Sequence, residues 1–219
     1  MTPGARRSPP ARRHLPAVPW AIRCGSVLLA VACSRAAPPP AEYVLGVAPA
    51  PGTVMNSVQG RPIVEVRPVR LPDYLDTRDL LTRSDNQIVS STTGQWAERL
   101  SVGMTRAIAL SLDARLPNVA VVTTSSVERP TRLVLVDVTA FEARADHQVV
   151  LLARWTITDG SGRVSLVSRD AEVVEPIGKM DDAAVVSTMN RAVEALASQI
   201  ADGIRRDVPP GNRSIRPPE

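Results

Sequence analysis

The stretch Gln148-Val149-Val150-Leu151-Leu152-Ala153-Arg154-Trp155-Thr156-Ile157-Thr158, followed by Asp159-Gly160-Ser161-Gly162-Arg163-Val164, decides the fold. Its first part is rich in Val, Leu and Thr and has the length of a strand. Its second part is a tight loop in which glycine supplies positive φ without steric cost. Another strand follows within Val164 to Glu175, so the pair is a hairpin. Upstream, Thr131 to Phe141 has the same composition, which makes a meander of three strands. Farther out, Val119 to Thr124, Pro62 to Val69 and Tyr43 to Val47 read as short strands, and a Pro-bearing turn lies at Leu71-Pro72-Asp73.

Two segments carry a helical period instead. Trp96, Leu100, Met104, Ile108, Leu112 and Leu116 recur four apart until Pro117 stops the pattern. Near the end, Asp181 or Asp182 caps a helix whose inward side is Val185, Met189, Val193, Leu196, Ile200 and Ile204. One sheet and two helices satisfy the layer rule as an α+β fold: a single mixed or antiparallel sheet with both helices packed on one face.

The chain has 219 residues, 20 Pro and six aromatics, so its core must be built from Val, Leu, Ile and Ala. One domain is expected over residues 43–207, between a Pro-rich tether at 33–42 and a tail at 208–219 that lacks apolar periodicity and should be disordered. The net charge of +4 would suggest an anionic partner. Five arginines (Arg6, Arg7, Arg12, Arg13, Arg23) and no acid lie in residues 1–32, however, which leaves 21 basic against 22 acidic residues in the remainder. The aromatics of that remainder are scattered rather than grouped as a stacking platform beside a basic groove, which excludes nucleic acid as partner.

Catalytic constellations fail one by one. Both cysteines, Cys24 and Cys33, lie at or before residue 33, and His147 is the one histidine beyond the leader, so a thiolate metal site or a histidine relay lacks its parts. Gly160-Ser161-Gly162 is a strand-to-strand turn, whereas a nucleophile elbow needs a helix to follow. Asp181-Asp182 suits helix capping, and His147 suits a hairpin tip. The expectation is a protein that is not an enzyme and has no metal or cofactor.

The N-terminus reads as a secretory signal over residues 1–32: an Arg-rich stretch, then the apolar run Ser26-Val27-Leu28-Leu29-Ala30-Val31-Ala32, then Cys33. That run is too short to span a bilayer. Ala30-Val31-Ala32-Cys33 resembles the bacterial lipobox, which implies cleavage before Cys33 and covalent diacylglycerol and N-acyl lipid on its sulfur and amine. The alternative is an ordinary signal peptide cut near Ala32 or Ala36. Because each buried methylene is worth about 0.8 kcal/mol, two or three acyl chains hold a soluble domain on a membrane. Ser34, in place of the Asp that marks inner-membrane retention in enteric bacteria, favours the periplasmic face of the outer membrane.

One loop stands out. Leu71-Pro72-Asp73-Tyr74-Leu75-Asp76 puts apolar and aromatic residues in a turn, which reads either as a loop folded over the core or as a contact surface.

That loop, with Tyr43-Val44-Leu45, Asn86-Gln87-Ile88, Trp96-Ala97-Glu98-Arg99-Leu100, Phe141-Glu142 and Ala153-Arg154-Trp155, resembles the ABC-transport auxiliary lipoproteins typified by the paraquat-inducible protein C lipoproteins. The resemblance spans nearly the whole mature chain. It implies an accessory of mammalian-cell-entry (MCE) type lipid transporters of Gram-negative envelopes, with the periplasmic MCE protein as partner, a possible homo-oligomer, and no ATP site. Pro72, Tyr74 and Leu75 are the partner-contact candidates, and Trp96 is expected as a buried anchor at the helix start. The rival is a periplasmic carrier that encloses a lipid and acts without a conduit.

Overall fold

The structure, a computed structural model, describes residues 38–46, 60–124 and 128–207. The leader, Cys33, Val47 and the C-terminal tail lie outside the described residues. The elements are β1 (Ala41–Tyr43), β2 (Ile63–Val66), β3 (Asp79–Ser84), β4 (Gln87–Trp96), α1 (Leu100–Arg115), β5 (Ala120–Val122), β6 (Arg132–Arg144), β7 (Gln148–Asp159), β8 (Ser165–Pro176) and α2 (Asp182–Asp207).

The sheet is mixed and is organised around β6. On one side β6 pairs antiparallel with β7 along its length, and β7 pairs with β8, which is the expected meander. The other side of β6 is shared. Its first residues pair in parallel with β2, which continues to β5, and its last pair in parallel with β3, which continues to β4 and then β1. Between them the bridge Arg70↔Asp137 closes the gap. Val134, Val136 and Val138 point inward from β6. A bulge between Val138 and Ala140 then shifts the alternation, so that Phe141 and Ala143 continue the inner face.

Both helices cover that inner face. Met104, Ile108 and Leu112 of α1 are fully buried, and so are Leu196, Ile200 and Ile204 of α2. Gly203 lets α2 approach the sheet closely: a Cβ there would lie 2.8 Å from Trp155 Cη2. At the rim, Glu194 accepts hydrogen bonds from Ser111 (2.8 Å) and Arg115 (3.0 Å), tying α2 to α1. The outer face of the meander carries a cross-strand ladder of charge. Arg70 pairs with Asp137 (2.5 Å) and Arg154 with Asp170 (2.8 Å), while Asp137 and Arg154 are direct cross-strand neighbours. Among the described residues no helix is long and apolar enough to cross a membrane.

Two expectations are corrected here, and one hairpin is added. Trp96 is buried as expected, but it ends strand β4 and α1 begins four residues later at Leu100. The first strand is Ala41–Tyr43 rather than Tyr43–Val47, so the last two residues assigned to the tether, Ala41 and Glu42, belong to the sheet. The hairpin β3–β4, between the Pro-bearing turn and α1, was not anticipated.

Candidate functional site

The Leu71–Asp76 loop is a tight turn whose two faces do different things. The Pro72 carbonyl accepts the N–H groups of Leu75 (2.9 Å) and Asp76 (3.2 Å). This turn drives Leu75 into the core, where it is 1% exposed, and leaves Tyr74 on the outside, 39% exposed. Pro72 is half-buried and Asp73 is exposed. Leu75 is therefore removed from the candidate contact surface, because a fully buried side chain cannot touch a partner. Pro72 and Tyr74 remain on the outside.

Tyr74 is held in place by two groups from the sheet. Its hydroxyl donates to Glu142 Oε2 (3.2 Å) and accepts from Arg83 Nη2 (3.0 Å), and the Arg83 guanidinium carbon lies 5.5 Å from the ring centroid. Arg83 Nε donates to Glu142 Oε1. Glu142 is 1% exposed, and a carboxylate at that depth requires a paired, hydrogen-bonded cation. The hydrogen bond to Glu142 first, and that to Tyr74 second, raise the Arg83 guanidinium above its ordinary pKa. Arg83 comes from β3 and Glu142 from β6, so the cluster sits where the sheet branches. Sequence reasoning singled out Tyr74 and Phe141-Glu142 as separate pieces but missed Arg83, since nothing in the local pattern joins positions 59 residues apart.

Asp76 completes the loop by serving α1. Its Oδ1 accepts the Ser101 N–H (3.0 Å) and its Oδ2 pairs with Arg99. The flanking residue Arg99 supplies no side-chain cap, and the first turn of α1 has no acid. The carboxylate is thus delivered from the loop to the helix end, where free N–H groups and the helix dipole favour it. Burial works to raise its pKa, but the hydrogen bonds from Ser101 and Arg99 outweigh burial and hold it below the ordinary carboxylate value.

The residues that follow the loop, Thr77 and Arg78, join it to the Trp96–Leu100 segment. Thr77 O accepts the Leu100 N–H (3.1 Å), Arg78 O accepts the Trp96 N–H (2.7 Å), and Arg78 Nε donates to Trp96 O (3.0 Å). Arg106 links the same corner to the start of the domain, pairing with Glu98 (2.6 Å) and donating to Leu45 O (3.0 Å).

The other sequence candidates fall where their ordinary roles would put them. His147 is exposed in the β6–β7 turn with φ of 64°. Asp181 Oδ1 accepts the Ala184 N–H (2.9 Å) and caps α2. Asp182 reaches across to β4, accepting from Ser91 (2.9 Å) and Thr93 (2.6 Å). Among the described residues no group of three or more His, Cys, Asp and Glu could hold a metal. The described residues line a surface groove of about 330 Å³ along α1 at Ser101, Val102 and Thr105, and another of about 590 Å³ between Tyr43 and the Ala183–Glu194 side of α2.

The structure is a sheet-and-helix platform that presents a tyrosine clamped by an ion pair. The model for the ABC-type transport auxiliary lipoprotein component family matches residues 43–201, and the chain belongs to that family. The family is one of auxiliary transport components, not of enzymes. No curated protein matches the chain. Among solved structures, an uncharacterized protein shares 22% identity over 75% of this chain and 98% of its own, with a TM-score of 0.63. A Xanthomonas campestris protein of the DUF330 family shares 15% identity over 75% of this chain and 93% of its own, with a TM-score of 0.60. At those identities the likeness establishes the fold.

Proposed function

We propose that this protein is the lipid-anchored dock of an ABC/MCE-type lipid transport system. In this reading acyl chains on Cys33 hold it at the periplasmic face of the outer membrane, and its surface binds the periplasmic MCE conduit. The family supplies the transporter, and the observation that carries the docking is Tyr74. A tyrosine that stays 39% exposed, yet is fixed by Arg83 and Glu142, loses little conformational entropy on association. Pro72, with its fixed φ, stiffens the same turn. No covalent chemistry is required of this chain, and ATP hydrolysis belongs to another subunit.

The test is capture of a periplasmic MCE protein of the same organism by the purified lipoprotein. Tyr74→Ala should weaken capture at least several-fold while the far-ultraviolet circular dichroism stays native. Undiminished capture by a folded Tyr74→Ala variant would remove Tyr74 from the interface. Stoichiometric lipid found in native mass spectra, with no capture, would favour the carrier.

A further inference from the structure

We propose that the end of the sheet carrying the β3–β4 turn, the β6–β7 turn and the β8–α2 connection is the face that this protein turns toward a lipid bilayer. This rests on the reading of Cys33 as the lipidated residue. Three connections come together there. The Ala145 N–H donates to Arg83 O (3.0 Å), which sets the β6–β7 turn beside the end of β3. The Ile177 N–H donates to His147 O (2.8 Å), which sets the start of the β8–α2 connection against the same turn. Exposed residues at this end include Asp85, Asn86, Asp146, His147, Lys179 and Met180.

The direction of β1 decides which end the anchor can reach. β1 is parallel to β4, and β4 runs away from the β3–β4 turn, so the chain enters β1 from the side of that turn. The pairings Ala41↔Gly94, Asp79↔Gln95 and Arg83↔Arg144 place Ala41 about five residues, or about 17 Å, short of the turns at strand rise. The opposite end, marked by the β7–β8 hairpin at Asp159–Val164, lies about eight residues, or about 26 Å, the other way.

Pro38, Pro39 and Pro40 precede β1, and consecutive prolines keep the chain extended for about 10 Å toward the turns. Five peptide steps then separate Pro38 from Cys33, a reach of at most about 18 Å. That is enough to bring Cys33 level with the turns. To reach the hairpin end the same five steps would have to recover about 10 Å and then cover about 26 Å more, which exceeds their length. An anchored Cys33 therefore draws the turn end to the bilayer. Lys179, which pairs with Asp181 (2.9 Å) yet keeps its side chain 82% exposed, and Met180, 38% exposed, present an ion-paired ammonium and an apolar side chain to the headgroup layer. The β7–β8 hairpin then stands roughly 40 Å farther out, the length of the 12-residue strand β7.

The chain offers a clean experiment, since cysteine occurs only at positions 24 and 33 and an introduced thiol in the lipidated protein is unique. Full-length protein would be expressed in a Gram-negative host, its intact mass taken, and the lipoprotein placed in phosphatidylethanolamine/phosphatidylglycerol vesicles doped with a headgroup-nitroxide lipid. Fluorophores on Asn86→Cys, Lys179→Cys and Ser161→Cys, each in its own variant, report proximity. The expected result is several-fold stronger quenching at positions 86 and 179 than at 161. Lipidated protein with equal quenching at all three positions, or stronger quenching at 161, overturns the orientation alone. An unlipidated mass overturns the anchor reading, and the orientation with it.

Discussion

Adjacent residues Leu75 and Tyr74 should respond to truncation very differently, because the Pro72 turn sends them to opposite sides of the sheet. Leu75 is 1% exposed and packs in the main core. Leu75→Ala removes three buried carbons and leaves a void, and buried Leu→Ala changes cost about 3–5 kcal/mol once the cavity is included. Tyr74→Phe keeps the ring and removes only the hydroxyl, which bonds Glu142 and Arg83 at a half-exposed site. Glu142 keeps its Arg83 partner in that variant, so the loss should be about 1 kcal/mol. For a domain of this size about 1 kcal/mol moves Tm by roughly 2–4 °C, so Leu75→Ala should lower it by roughly 6–20 °C and Tyr74→Phe by no more than about 4 °C. Urea unfolding followed by tryptophan fluorescence gives both free energies, since Trp96 and Trp155 are buried. A Leu75→Ala cost below about 1 kcal/mol, or below that of Tyr74→Phe, would show that the loop does not reach the core and would reverse the assignment of its two faces.

Three further outcomes follow from the same contacts. The Asp76 carboxyl has a folded-state pKa below its unfolded value, so its contribution is complete above about pH 4 and is lost as pH falls through the depressed value. Urea midpoints between pH 5 and pH 3 should therefore fall less steeply in Asp76→Asn than in the parent, and parallel slopes would refute the capping role. Gly203→Ala should lower Tm although alanine favours helix by about 1 kcal/mol, because its Cβ would lie 2.8 Å from Trp155 and overpacking costs about 1–3 kcal/mol; a raised Tm would mean that Trp155 yields freely. Asp182→Ala removes the acceptor for Ser91 and Thr93 and should cost about 1–2 kcal/mol in denaturant, with unchanged stability refuting the link between α2 and β4.

The meander and both helices are legible in the sequence because each carries its own period. β7 is a Val- and Leu-rich run that ends in a glycine loop, and α2 has six apolar residues in line behind a capping aspartate. The β3–β4 hairpin is illegible for the opposite reason. Leu80 and Leu81 are both buried, which breaks the alternation, and a register shift between Asp79 and Leu81 removes what is left of it. β4 from Gln87 to Thr93 is largely exposed, so it shows no apolar stripe, and its turn is made by Asp85 at φ 51° without a glycine. Trp96 was drawn into the helix because it lies four residues before Leu100, a spacing that a buried strand end can share with a helix by coincidence.

The candidate site was legible in its parts but not in its assembly. Of the loop, Leu75 fills the core and Asp76 serves α1, so half of what makes the segment recognisable is explained by architecture. The apolar character that marked it as a contact surface belongs partly to Leu75, which faces inward. What architecture leaves unexplained is Tyr74. A core-covering loop gains nothing from leaving its one aromatic 39% exposed, and burying a carboxylate beneath it adds a desolvation penalty that a leucine at position 142 would avoid. Arg83 and Glu142 instead fix the ring's orientation at the surface, as the proposed docking role would require. If that is its purpose, Arg83→Met should weaken MCE capture more than its effect on Tm accounts for, because the ring would keep only its hydrogen bond to Glu142, itself left buried without its cation; capture that declines only in proportion to lost folded protein would assign the cluster to stability alone.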